Sequence, residues 1–120
     1  MSAQSADHRD PDEPLIPMPP LTEAALRVAV TRLDLSAAIR FEHEFHAAWQ
    51  EAVQTDSTVP MHTFLYRWGV FVALRRFPGR AARLAELEAA VAEATTRDEA
   101  RAKSSEIAAL LDEAAREVAA

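Results

Sequence analysis

The stretch that most constrains this fold is residues 60–77, PMHTFLYRWGVFVALRRF. It holds one of the two Trp, the only Tyr and three of the five Phe of the chain. Asp56, Ser57 and Thr58 precede it as turn and cap formers, and Pro60 suits a first helical position, where its missing N–H is no loss. Pro78-Gly79 follows: Pro disfavours helix at the residue before it, and Gly permits a left-handed turn. Between these ends Phe64, Trp68, Phe71, Val72 and Arg75 share one helical face, while Leu65, Val70, Ala73 and Leu74 add apolar surface elsewhere. A helix apolar around most of its circumference is buried by several neighbours. The uninterrupted apolar run, Trp68 to Leu74, is far short of the roughly 20 residues a membrane span needs. Gly69 is expected to be buried, with Ala48 and Ala52 opposite, so that Gly69→Ala destabilises by overpacking.

The chain before and after this segment also reads as helix. Thr22 and Glu23 open a first helix with Leu26, Val30 and Leu33 on its inner face. Asp34 and Ser36 supply the next cap. A second helix runs from about Ser36 to Gln54, with Phe41, Phe45, Ala48, Trp49 and Ala52 as its apolar face and Ala38 and Ile39 extending it upstream. The short link Thr55–Val59 makes it an antiparallel hairpin with the central helix. Beyond Gly79, Leu84, Leu87, Val91 and Ala94 form one stripe. Thr96 and Glu99 then have capping-box spacing, and Ala100, Ile107, Leu111, Ala114 and Val118 form another. The expected fold is all-α: one domain over 21–120, with a core at 21–79 and a helical hairpin or one long helix at 80–119. Residues 1–20, acidic and carrying five of the seven Pro, read as a disordered arm. Deleting residues 1–14 should therefore leave stability unchanged.

The function classes narrow by absence. There is no cysteine, so no disulfide, thiol chemistry or Cys-ligated zinc is available. Two glycines cannot make a Gly-rich phosphate loop, and there is no G-x-S-x-G. FEHEFHAAW places His43 and His46 three apart, with His62 able to approach across the hairpin, but neither H-E-x-x-H nor paired Glu-x-x-His is present. No secretion signal is recognised, which leaves a cytoplasmic protein as the expectation. Arg40–Glu44, Glu93–Arg97, Glu99–Lys103 and Asp112–Arg116 have the spacing of ion pairs on solvated helix faces. Residues 57–85 contain five arginines, Arg67, Arg75, Arg76, Arg80 and Arg83, and no carboxylate, in a chain of net charge −6. They are the candidate partner-binding residues, unless they pair with carboxylates of neighbouring helices.

MPPLTEAALRVAV, FEHEFHAAWQEAVQT and VPMHTFLYRWGVFVALRRFPGRAARL together resemble a family of small actinomycete proteins of unknown function. The resemblance covers residues 17–90. It implies no activity and no catalytic residues. Some similar proteins are encoded beside toxin-like genes, so it implies an antitoxin-like or partner-binding role. The expected function is a non-enzymatic helical interaction module without cofactor or metal, whose partner is another protein or a second copy of the chain. A nucleic-acid-binding regulator using the five arginines is one alternative. A metal-dependent enzyme at His43, His46 and His62 is the other.

Overall fold

A computed structural model describes residues 10–119 as five helices with no strand among them. They are α1 (Glu23–Leu33), α2 (Leu35–Thr55), α3 (Val59–Arg75), α4 (Pro78–Glu93) and α5 (Arg97–Ala119). Local chemistry accounts for each boundary. Thr22 Oγ1 accepts from the Ala25 N–H and starts α1. Asp34 does two jobs: its N–H donates to Val30 O to close α1, and its carboxylate accepts from the Ser36 and Ala37 N–H groups to open α2. α2 stops at Asp56, in the left-handed region at φ 52°, which Asp tolerates better than most residues.

The α3–α4 junction differs from the expectation. Gly79 makes no left-handed turn, since no glycine has positive φ. Phe77 is extended, as the residue before a proline should be, and Pro78 is the first residue of α4. The C-terminal third is two helices broken at Ala94–Thr96. There the Glu99 N–H donates to Thr96 Oγ1 and the Glu99 carboxylate returns to the Thr95 N–H at 3.0 Å. The capping spacing therefore outweighs the lack of Gly or Pro. Because the break separates Glu93 from Arg97, that expected pair does not share a helix.

α2 and α3 pack antiparallel through aromatic rings. Phe45 meets Phe64 at 5.6 Å between centroids, and Phe41 meets Trp68 at 5.2 Å. Phe41, Phe64, Trp68 and Val72 join Leu26, Ala29 and Val30 of α1 in the main core. A second cluster, Ala73, Leu74 and Ala114, joins the far side of α3 to α5. α3 thus lies between α1–α2 and the α4–α5 hairpin, as its all-round apolar sequence requires. Trp68 is 3% exposed, and its indole N–H donates to Glu44 Oε1 at 3.0 Å.

Residues 10–20, expected to be disordered, are laid along the helices. The Gly79 N–H donates to Pro11 O and the Leu15 N–H to Arg76 O, at 2.9 and 2.7 Å. Ile16 is buried in the main cluster, and Met18 packs against both clusters. A turn at residues 10–13, closed by the Glu13 N–H on Asp10 O, brings the segment onto the α3–α4 junction. Residues 1–9 lie outside the described residues.

Gly69 is buried, but its neighbours are not the expected alanines of α2. A Cβ there would lie 2.7 Å from Leu21 Cδ2 and 3.2 Å from Val118 Cγ1. Leu21 is 36% exposed and its tip can rotate away, whereas β-branched Val118 must yield a few tenths of an ångström. Overpacking is then largely offset by the roughly 1 kcal/mol that Ala gains over Gly in a helix. Gly69→Ala should leave the free energy of unfolding within about 1 kcal/mol of wild type by urea denaturation. A loss above about 2 kcal/mol would mean that the end of α5 cannot yield.

Candidate functional site

Three of the five candidate arginines are bound to α5. Arg76 and Arg80, each with a side chain only 13% exposed, both reach Glu117, at 2.9 and 2.6 Å. Arg80 also donates to Ala73 O at 2.7 Å, and Arg76 to Ile16 O at 3.3 Å. Cations at this end of α3 oppose its exposed carbonyl dipoles. Both guanidinium groups lie over the Phe77 ring. Arg83 pairs with Glu106 at 2.6 Å. Arg75 faces Asp34 at 3.9 Å and lies over Phe71. Arg67 sits apart, in the α2–α3 groove. The five therefore do not form one unpaired basic patch.

Burial at Glu117 works against its ionisation. Hydrogen bonds and charge from Arg80 and Arg76 outweigh that, holding its carboxyl below the usual range. A depressed carboxylate contributes stability above its unfolded pKa of about 4.3 and loses it as pH falls through the folded value. Glu117→Gln leaves the largely buried Arg76 guanidinium without its counter-charge and Arg80 with only the more exposed Glu113, at 3.6 Å. It should cost about 1–3 kcal/mol at pH 7, after discounting for the remaining exposure. That deficit should shrink as the pH is lowered past 4 in denaturation series of both proteins. A deficit independent of pH would show that packing, not charge, carries the effect.

Of the expected surface pairs, Arg40–Glu44 forms at 3.8 Å. Lys103 instead meets Glu106 at 3.5 Å, because Glu99 is engaged in the cap. His43, His46 and His62 are all exposed, and no group of three metal-ligating side chains converges among the described residues. The α2–α3 groove, about 270 Å³, is open and lined by Glu44, Glu51, Arg67, Thr63 and Phe64. It continues past Arg40 and Trp68. It offers charge of both signs, but no cysteine or serine and no base that orients Thr63.

The face that stands out is on α2. Trp49 and Ile39, expected to point inward, are 56% and 67% exposed, and Leu35 and Val53 are 73% and 63% exposed. At 3.6 residues per turn these four fall on one stripe, roughly 120° around the helix from buried Phe41. Glu42 and His46 continue the same stripe between them. α1 packs on the adjoining flank of α2, where Arg27 meets Glu42 and lies over Phe41 and Phe45, and leaves Leu35, Ile39, Trp49 and Val53 uncovered. Trp49, Ala52 and Val53 border an open hollow of about 420 Å³ with Thr58 and Met61. Sequence reasoning missed the stripe because the inner and outer apolar faces of α2 adjoin at Trp49. The 4-3-4-3-4 spacing from Leu35 to Val53 was the available signal.

No family model matches this chain, and no curated protein or solved structure matches it. No helix among the described residues is long and apolar enough to cross a membrane.

Proposed function

We propose that this protein is a non-enzymatic helical interaction module, a regulatory or antitoxin-like partner, that binds protein through the outer face of α2. The supporting observation is the exposed stripe of Leu35, Ile39, Trp49 and Val53 along α2. Scattered exposed apolar residues need no explanation, but an aligned set of four including a Trp is the composition of a binding face. The arginines at 67–83 support this less, since Arg76, Arg80 and Arg83 are engaged within the chain.

Site-specific photo-crosslinking in native cells tests the reading. A photoreactive residue at Ile39 should give discrete protein adducts, and one at exposed Arg101 on α5 should not. Equal labelling from both positions, or none from Ile39, would refute an α2 binding face.

A further inference from the structure

We infer that the occupant of the α2 face is a second copy of this chain, bound antiparallel about a two-fold axis. This deepens the reading of α2 as the binding face and rests on it.

The argument begins with spacing. Leu35, Ile39, Glu42, His46, Trp49 and Val53 follow one another at intervals of 4, 3, 4, 3 and 4 residues. That is the a/d seam of a coiled coil, alternating d-a-d-a-d-a along about 27 Å of helix. The order of side chains then selects the orientation. In an antiparallel pair each a residue meets a d residue of the other helix. Leu35 meets the partner's Val53, Ile39 meets the partner's Trp49, and Glu42 meets the partner's His46. Apolar faces apolar in the outer layers, and carboxylate faces imidazole in the central ones. A parallel pair would instead set Glu42 against the partner's Glu42 and His46 against the partner's His46. The stripe is thus complementary to itself in one orientation only, the condition for an isologous two-fold interface.

The surroundings agree. On the outer flank of the seam stand Ser36, His43 and Gln50, so no carboxylate or guanidinium meets its like there. The hollow of about 420 Å³ beside Val53 lies where the partner's Leu35, 73% exposed in the single chain, arrives. Glu42 keeps its bond to Arg27 on α1 while its side chain, 46% exposed, still has a free side for the imidazole. A seam of one helix against one helix lies at the low end of stable interface sizes, roughly 1,200 Å² in total, so micromolar association is expected.

Sedimentation velocity of the full chain from about 1 to 500 µM tests this. A monomer–dimer equilibrium is expected within that range. Trp49→Asp should weaken it about 100-fold or more, since two-fold symmetry counts the lost anchor twice. His46→Glu should weaken it about fivefold and His46→Lys should strengthen it, again with the change made twice. Among the described residues His46 is exposed and makes no hydrogen bond or ion pair, and circular dichroism melts of both variants measure the opposite effects that the two substitutions have on Glu42, four residues earlier in the same helix. The chain has no cysteine. A short bismaleimide should therefore join Leu35→Cys protein to Val53→Cys protein far better than either to itself. A monomer throughout the range, dimerisation indifferent to Trp49 and His46, or preferential Leu35–Leu35 crosslinking each overturns the inference. If the chain stays monomeric but Ile39 still photo-crosslinks another protein, only self-pairing fails. If neither occurs, the α2 binding face fails with it.

Discussion

Trp68→Ala should remove a large share of the stability of this protein. Trp68 is 3% exposed, its ring lies within 4.8–6.5 Å of those of Phe41, Phe64 and Phe71, and its indole N–H is bonded to Glu44. Truncating a buried Trp costs about 3–5 kcal/mol, and here the cavity would open where α2 and α3 meet. Arg40 lies over the same ring at 5.1 Å and would lose that contact as well. A domain of this size has only about 5–15 kcal/mol of stability in all. Thermal unfolding followed by circular dichroism should show a midpoint lowered by well over about 10 °C. A midpoint within a degree or two of wild type would mean that α3 is not the centre of the fold.

The second large effect concerns residues 10–20, and it should appear as a contrast between two truncations. Removing residues 1–14 takes away the bond from the Gly79 N–H to Pro11 O but leaves Ile16 and Met18. It should cost about 0.5–1.5 kcal/mol, a small loss where the sequence suggested none. Removing residues 1–18 also strips Ile16 from the main core and Met18 from between the two clusters, and deletes the acceptor that Arg76 uses at Ile16 O. Loss of one large buried aliphatic side chain costs about 2–5 kcal/mol, so the longer truncation should lose at least that. Equal stability of the two proteins in urea would show that the segment does not hold the helices together.

Much of the architecture was legible because short-range chemistry sets it. Thr22, Asp34 and Thr96 announce helix starts by side-chain capping, and Pro78 fixes both the end of α3 and the start of α4. Trp68 was legible as core because its neighbours on the 3.6-residue repeat are themselves apolar. What was not legible depends on which distant segment fills a given space. Proline-rich composition says that residues 10–20 form no helix, but not that Ile16 is buried in the main core. Gly69 reads as a close-approach position, yet nothing local indicates that Leu21 and Val118 are the neighbours. Arg80 and Glu117 lie 37 residues apart and carry no local sign of their bond. For the candidate site, the arginine cluster was legible as a cluster but not as one largely tied to α5. The outer stripe of α2 was hidden because a helix with two adjoining apolar faces looks from its sequence like one with a single broad face.

The two tryptophans sit in opposite environments, Trp68 at 3% exposure in the core and Trp49 at 56% on the outer face of α2. The protein therefore carries two built-in fluorophores that report different events. Indole emission from Trp68 belongs at short wavelength and should resist acrylamide. Emission from Trp49 belongs at long wavelength and should be quenched readily. Trp49→Phe leaves a reporter of global unfolding alone. In the wild-type chain, any occupant that covers α2 shifts the red component to the blue while the core signal stays still. Docking and folding can thus be followed separately in one cuvette, with no label added.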